Sequence, residues 1–532
     1  MLIKELIVVL SIALVTLHFV KPLALRFSAA SDFARRRNIW IALTIVGFLS
    51  PSFWLFALIA VPILLWAVRQ DSSPIALYMF VLFVVPAVPV DIPDIDGMQL
   101  FSLDYYRLLS FFVLIPLAVR ARRLSVRSEA NRSRSTDLFL LAFGAVQIWL
   151  FVPPDAPNHV IFHDSFTNFL RRIFLYVVDV YVVYYAISRS CVDRRKILDA
   201  ISAFCVAAAV MSTLAVFEHF RRWLLYTTLA LRWNPADANY IFSFMLRGTW
   251  LRAQVSAGSA LILGLLLAIA FGFSVYLQSH STTLRGRLMP ALVYWSGLVA
   301  SFSRGAWIGG ITIYLAYSML KPKGLSRLVK ACFVIVIAVG LFSLSSSGQR
   351  MIDSLPFMGG KADSSVIYRQ QLFDRSRELI EAHPWFGDQK ALAEMESLRQ
   401  GQGIIDIVNT YIGVALFDGL VGLALFLGFI VSACWGAYRA AKVVVSDDLD
   451  LAYLGFSLIA CIIGMMIMIA DCSLIYGVQK MFFGLVALAV AYARYVSSSG
   501  GMLVPGGDIQ RRESRSIRAD VSRPAIRASN SR

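Results

Sequence analysis

The sequence predicts an all-α fold: a polytopic transmembrane helical bundle of about 12–15 spans, with one large extracytoplasmic loop that contains an amphipathic helix. Three observations predict it. Hydrophobic residues make up 58% of the 532 and charged residues only 16%, with a mean hydropathy of +0.68, whereas soluble domains carry roughly 25% charged residues. Apolar runs of bilayer-spanning length recur from the first residues to Val496. Basic clusters punctuate them at intervals, and a single sizeable polar insert falls at 346–406. This composition excludes a soluble enzyme, a disordered chain and a disulfide scaffold. The six cysteines have no metal-type spacing and read as small packing residues.

Orientation follows from charge. The net +17 is concentrated at Lys21, Arg26 and Arg35 to Arg37; at Arg120, Arg122, Arg123, Arg127, Arg132 and Arg134; at Arg189, Arg194, Arg195 and Lys196; and at Lys321, Lys323, Arg327 and Lys330. These clusters are expected inside. The first span, near 5–20, has Lys4 before it and Arg35 to Arg37 after it, and reads as an uncleaved anchor. Between the basic loops at 21–37 and 120–134 the number of crossings must be even. Ile39 to Val68 therefore reads as a hairpin turning at Ser50-Pro51-Ser52, giving spans at 39–49, 52–68, 74–90 and 103–119. The acidic connection with Asp91, Asp94, Asp96 and Asp104 then lies outside. Alternation continues with spans near 136–152, 173–188, 197–217, 254–277, 289–302, 306–320, 329–345, 407–433, 449–471 and 474–496. The N-terminus is outside and the C-terminus inside.

The domains expected are a membrane bundle at 1–345, the extracytoplasmic loop at 346–406, C-terminal membrane helices at 407–496 and a disordered basic cytoplasmic tail at 497–532. Residues 346–406 contain VIYRQQLFDRSRELIEA, Val366 to Ala382, with Ile367, Leu372, Leu379 and Ile380 at helical spacing, Ser364 or Ser365 as cap and a stop before Pro384. The tail holds seven arginines and three acids, a composition suited to anionic lipid. No nucleic-acid partner, metal or cofactor is expected, and no nucleotide loop couples ATP to the chain.

The expected exterior connections before residue 346 carry Arg171, Arg172, Arg221, Arg222, Arg232, Arg247, Arg252 and Arg304, without a lysine. Planar bidentate guanidinium donors suit phosphate oxygens; the competing reading is headgroup snorkelling, or pairing with outer acids such as Asp164 and Glu218. Residues 218–247 mix aromatic residues with Arg221, Arg222 and Arg232 and read as an interfacial amphipathic helix. Ser303-Arg304-Gly305-Ala306-Trp307 sits at a tight outer turn between two apolar spans, where a charge is costly unless it faces a polar cavity. Arg304 is the first functional candidate.

With these segments on the page, the chain resembles the bacterial O-antigen ligase and Wzy-type O-antigen or exopolysaccharide polymerase superfamily. Ser303-Arg304-Gly305-Ala306-Trp307 is similar to its Ser-Arg-Gly-x-Trp segment, and Arg369 followed by His383-Pro384-x-x-Gly387 to its Arg-then-His-Pro-x-x-Gly loop. Asn409 through Gly419-Leu420-x-Gly422 resembles its His-Asn-x9-Gly-Leu-x-Gly motif, and Arg247-Gly248-Thr249-Trp250 is a looser match to a fourth segment.

The resemblance implies inverting, metal-independent glycosyl transfer at the outer face of the bacterial cytoplasmic membrane, from an undecaprenyl-pyrophosphate-linked oligosaccharide. Arg304, Arg247 and Arg369 would clamp the pyrophosphate. Arg252, Trp307, Asn409 and Tyr411 would bind substrate, and a polysaccharide chain-length regulator would be a partner. Val408 stands where the ligases carry the histidine proposed as base, and valine cannot take a proton. Either His383, Asp406 or Asp418, all within reach, activates the acceptor hydroxyl in its place, or the acceptor needs little activation; His383 also reads as a helix-end residue and Asp418 as a turn cap near Gly419. The missing histidine favours a polymerase over a ligase. A flippase or exporter of lipid-linked oligosaccharide is the competing class; it would show related halves, and no internal repeat is found.

Overall fold

The computed structural model describes residues 1–92, 101–125, 134–150, 169–235, 246–247, 250–280, 284–322, 324–344, 364–399 and 405–500. The chain forms α1 (Leu2–Ala24), α2 (Ala30–Leu49), α3 (Phe53–Gln70) and the short α4 (Pro74–Val81). Next come α5 (Tyr105–Leu109), which continues through a π turn at Ser110–Leu114 into α6 (Ile115–Ser125), and α7 (Arg134–Trp149). A second π turn, Tyr176–Tyr181, leads into α8 (Val182–Ser190), followed by α9 (Arg194–Arg221) and α10 (Thr227–Trp233). The second half holds α11 (Ala260–Leu277), α12 (Leu284–Ser301), α13 (Arg304–Leu320), α14 (Gly324–Ser343) and the loop helix α15 (Ser364–Ala382). It closes with α16 (Thr410–Val444), α17 (Leu449–Ile469) and α18 (Tyr476–Gly500). Two minimal hairpins, Val90–Asp91 with Ser102–Leu103 and Leu246–Arg247 with Trp250–Leu251, are the strands among the described residues.

This is a multi-pass, all-α membrane protein. Seven of the described helices are long and apolar enough to cross a bilayer, and shorter apolar helices lie at Ser135–Trp149 and Leu288–Ser301. The hairpin expected over 39–68 is present, with α2 ending at Leu49 and the Ser52 hydroxyl capping α3. The basic tail beyond Gly500 lies outside the described residues.

Ion pairing follows the alternation read from charge. Arg36 is 1% exposed and is held by Asp71 and Asp199, at 2.6 and 2.8 Å. Arg494 and Arg189 share Asp137, while Arg194 meets Asp448 and Asp450. All these pairs join connections assigned to the inner side. Low-dielectric burial makes unpaired charge expensive, so the clusters tie helix ends to one another.

Two expected elements differ. The span at 74–90 is helical only to Val81, and Pro86 and Pro89 keep the helix from resuming beyond the turn that follows. The carbonyls released there are met by protein donors: Tyr105 donates to Val81 at 2.8 Å, Ser256 to Phe83 and Asn234 to Pro89 at 2.7 Å. Unwound backbone at membrane depth is tolerated only when satisfied in this way. The interfacial helix expected over 218–247 is, among the described residues, the seven-residue α10. Its Trp233 is buried and its ring packs 5.6 and 5.0 Å from Phe53 and Phe56, so it seals the α2–α3 hairpin instead of lying on the surface.

Candidate active site

The turn between α12 and α13 is built by one left-handed residue, Phe302 (φ 49°), which reverses the chain so that Arg304 opens α13. The Trp307 indole locks the turn by donating to the Leu298 carbonyl at 2.7 Å. Gly264 of α11 lets that helix press against Ser303 and Ala306, and a Cβ there would lie 2.8 Å from the Ala306 side chain. Ser303 holds the cap position without using its hydroxyl to cap. The uncapped first turn borders a cleft lined by Leu261, Leu265, Ser303, Gly305, Ala306, Met468, Asp471 and Cys472. Helix N-termini carry partial positive charge and favour anions; Arg304, half-buried, opens this turn between the lining residues Ser303 and Gly305 but is not itself among the residues that line the cleft.

Asp471, in the connection between α17 and α18, was not marked by sequence. Its Oδ2 lies over Gly305, where a Cβ would come within 2.5 Å, and its Oδ1 pairs with Nη1 of Arg369. Arg369 reaches it from α15, so the loop helix, the Arg304 turn and the 471–475 connection meet at one cleft. Beside it, Tyr368 accepts from the Asp406 amide at 3.1 Å and donates to its carbonyl at 3.2 Å, and Ser473 donates to the Asp406 carboxylate at 3.1 Å. Burial pushes the Asp406 carboxyl above its ordinary value, against the pull of the Ser473 hydroxyl and the Arg369 guanidinium.

Loop helix α15 carries the expected amphipathic stripe, with one shift. Leu372 and Leu379 are buried in a small separate core with Ala391, Met395, Ile407 and Leu416, whereas Ile367 is exposed. The helix stops at His383-Pro384 as expected. From there the chain is laced into α16, which breaks at Gly419 (φ 67°). Leu420 and Val421 donate to the carbonyls of Pro384 and Trp385 at 2.8 and 3.2 Å, and Asp388 donates to Leu416 at 2.8 Å. Gly387 (φ 66°) is required here: a Cβ would sit 2.5 Å from the Leu416 carbonyl. The His-Pro-x-x-Gly and Gly-Leu-x-Gly segments are thus two sides of one backbone junction.

The remaining candidates divide. Asn409 caps α16, accepting from Tyr411 and Ile412 amides at 2.9 and 3.2 Å, and the Tyr411 hydroxyl donates to the Met466 carbonyl at 2.8 Å. Both are engaged in holding the helix that enters beside the cleft. His383 is exposed at the end of α15. Asp418, 1% exposed, sits at the α16 break and accepts from Gln147 at 2.8 Å. Arg252 donates to the Ser301 carbonyl at 3.5 Å, one residue before the Phe302 turn. Arg247 lies on the hairpin strand with Trp250 as its partner; its side chain is outside the described set. Trp250 also stacks on both His219 and Phe302, with centroids 5.6 and 5.9 Å away, and those two rings lie 5.4 Å from each other. Glu218, read from sequence as an arginine partner, instead accepts from the backbone amides of Leu225, Gln254 and Val255. It anchors the segment just after Arg252. Asp164 lies outside the described residues.

Residues 289–427 match the family model described as O-antigen ligase. The chain carries an O-antigen ligase domain. The matched segment contains Arg304, Trp307, Arg369, His383, Asn409, Tyr411 and Asp418, and stops short of Arg247 and Arg252 on its N-terminal side. No curated protein matches the chain. The matched segment is thus similar to the O-antigen ligase family over about a quarter of the chain, and with the membrane helices it supports a multi-pass inner-membrane protein of the ligase or polymerase kind.

Proposed function

We propose that this protein polymerises undecaprenyl-pyrophosphate-linked repeat units into exopolysaccharide or O-antigen at the outer face of the cytoplasmic membrane. The observation that carries the reading is the meeting of Arg369, the Arg304 turn and Asp471 at one cleft, with Asp406 tied beside it through Ser473. In the reaction an acceptor hydroxyl bonds to the anomeric carbon of the donor sugar as the bond to the pyrophosphate oxygen breaks. Negative charge grows on the leaving group, and fixed guanidinium groups with a helix N-terminus stabilise it. Arg304 and Arg369 supply that charge, with Arg247 as a third clamp, so the positive charge comes from the chain itself and no metal is needed. Attack opposite the departing diphosphate inverts the anomeric carbon.

The proton of the acceptor hydroxyl goes to a carboxylate. Val408 is half-buried and inert, while the carboxyl of Asp406, two residues earlier, is raised above its ordinary value by burial, the direction that suits a general base. A base supplied by the loop instead of a histidine favours polymerase over ligase. Purified protein given lipid-linked repeat units should release longer lipid-linked chains without ATP, and Arg304→Ala should abolish them at unchanged protein level. Transfer only to a lipid A-core acceptor would make it a ligase; unaltered substrate crossing vesicles would make it a flippase.

A further inference from the structure

Asp471 is a carboxylate placed where the reading above needs a phosphate. One oxygen pairs with the Arg369 guanidinium and the other lies over Gly305 in the uncapped first turn of α13. A guanidinium beside a helix N-terminus is a pairing that suits phosphate oxygens, and Asp471 takes the guanidinium of that pairing while its second oxygen fills the room beside Gly305. A fastening role for the pair explains less. The side chains of Arg369 and Asp471 are 41% and 29% exposed, and ion pairs this wet add little stability. The loop is already held by the Gly387–Gly419 lacing and by Tyr368 against Asp406. A diphosphate entering the cleft also brings like charge against Asp471, so the two cannot share the position.

We propose that the Asp471 carboxylate is an internal stand-in for the donor diphosphate: it holds Arg369 at the mouth of the cleft and is displaced when a lipid diphosphate takes its place against the first turn of α13. Arg369 then changes partner from carboxylate to phosphate at the same cleft. The inference rests on the reading of the cleft as the site of a diphosphate donor, and deepens it by naming the group with which the donor competes.

The test is titration of inorganic pyrophosphate onto the full chain in lipid nanodiscs. Asp471→Asn keeps the shape and removes the charge, and should bind pyrophosphate about tenfold more tightly than the wild type. Adding Arg369→Ala to that variant should cancel the gain. Asp471→Ser serves the same purpose should the Asn variant fail to fold. Equal or weaker binding by the neutral variants, with binding still lost in Arg369→Ala alone, overturns the stand-in and leaves the diphosphate clamp standing. Absence of pyrophosphate binding in wild type and variants alike overturns both.

Discussion

Gly305 has no side chain, and the Asp471 carboxylate takes the room. Gly305→Ala forces that carboxylate off the first turn of α13. The methyl also takes room from the diphosphate that replaces the carboxylate, and misplacing the reacting group by a fraction of an ångström to 1 Å costs about 10–100-fold in rate. The initial rate of chain extension should fall by that amount while the yield of folded protein stays unchanged. Asp406 makes a prediction in pH. Burial raises its pKa on folding, so the folded chain holds the proton to higher pH than the unfolded chain does. Stability from this group is therefore greatest in acid and declines as pH rises through the raised value. Asp406→Asn removes the penalty, and its thermal midpoint at pH 7 should equal or exceed that of the wild type. Its activity should nonetheless collapse, and the acidic limb of the wild-type pH–rate profile, where Asp406 is protonated, should disappear.

At the scale of elements, the α15 helix and its stop at Pro384 could be read from periodicity and from the proline, because both act locally. The break in α16 could not. Gly387 and Gly419 lie 32 positions apart in sequence, and each reads alone as a motif glycine; only the fold shows that each has a left-handed φ to fit the other's backbone. A Cβ at either position meets carbonyl oxygen rather than a movable side chain. Gly419→Ala or Gly387→Ala should cost about 1–3 kcal/mol for the φ alone, and more for the contact. The check is the denaturation midpoint of purified protein, with Gly413→Ala, whose nearest neighbour is an Ile407 methyl at 3.8 Å, as the near-neutral comparison. The unwinding after Val81 escaped the sequence for a related reason: a run of valines and phenylalanines is apolar whether helical or extended, and the satisfying donors, Tyr105 and Ser256, are remote in the chain.

For the whole molecule, alternating basic clusters carried the reading, because membrane orientation is written in charge. The acids and arginines paired among the described residues in these clusters all lie on connections that the alternation assigns to the inner side. Arg36→Met leaves Asp71 and Asp199 buried without their cation and should destabilise the bundle by about 3–5 kcal/mol, seen as a lowered unfolding midpoint in detergent. Asp471 remained hidden at this scale, since nothing in a short connection between two apolar spans marks one aspartate from another until Arg369 arrives from a separate segment of chain. The interlock at Gly419 has one more consequence, for chimeras. The exterior insert is not a detachable lid: its backbone supplies the acceptors that the second half of α16 needs to start. Grafting the insert alone from a relative would leave that helix start unsatisfied, whereas exchanging residues 364–427 as one block should transplant cleanly and carry acceptor preference with it.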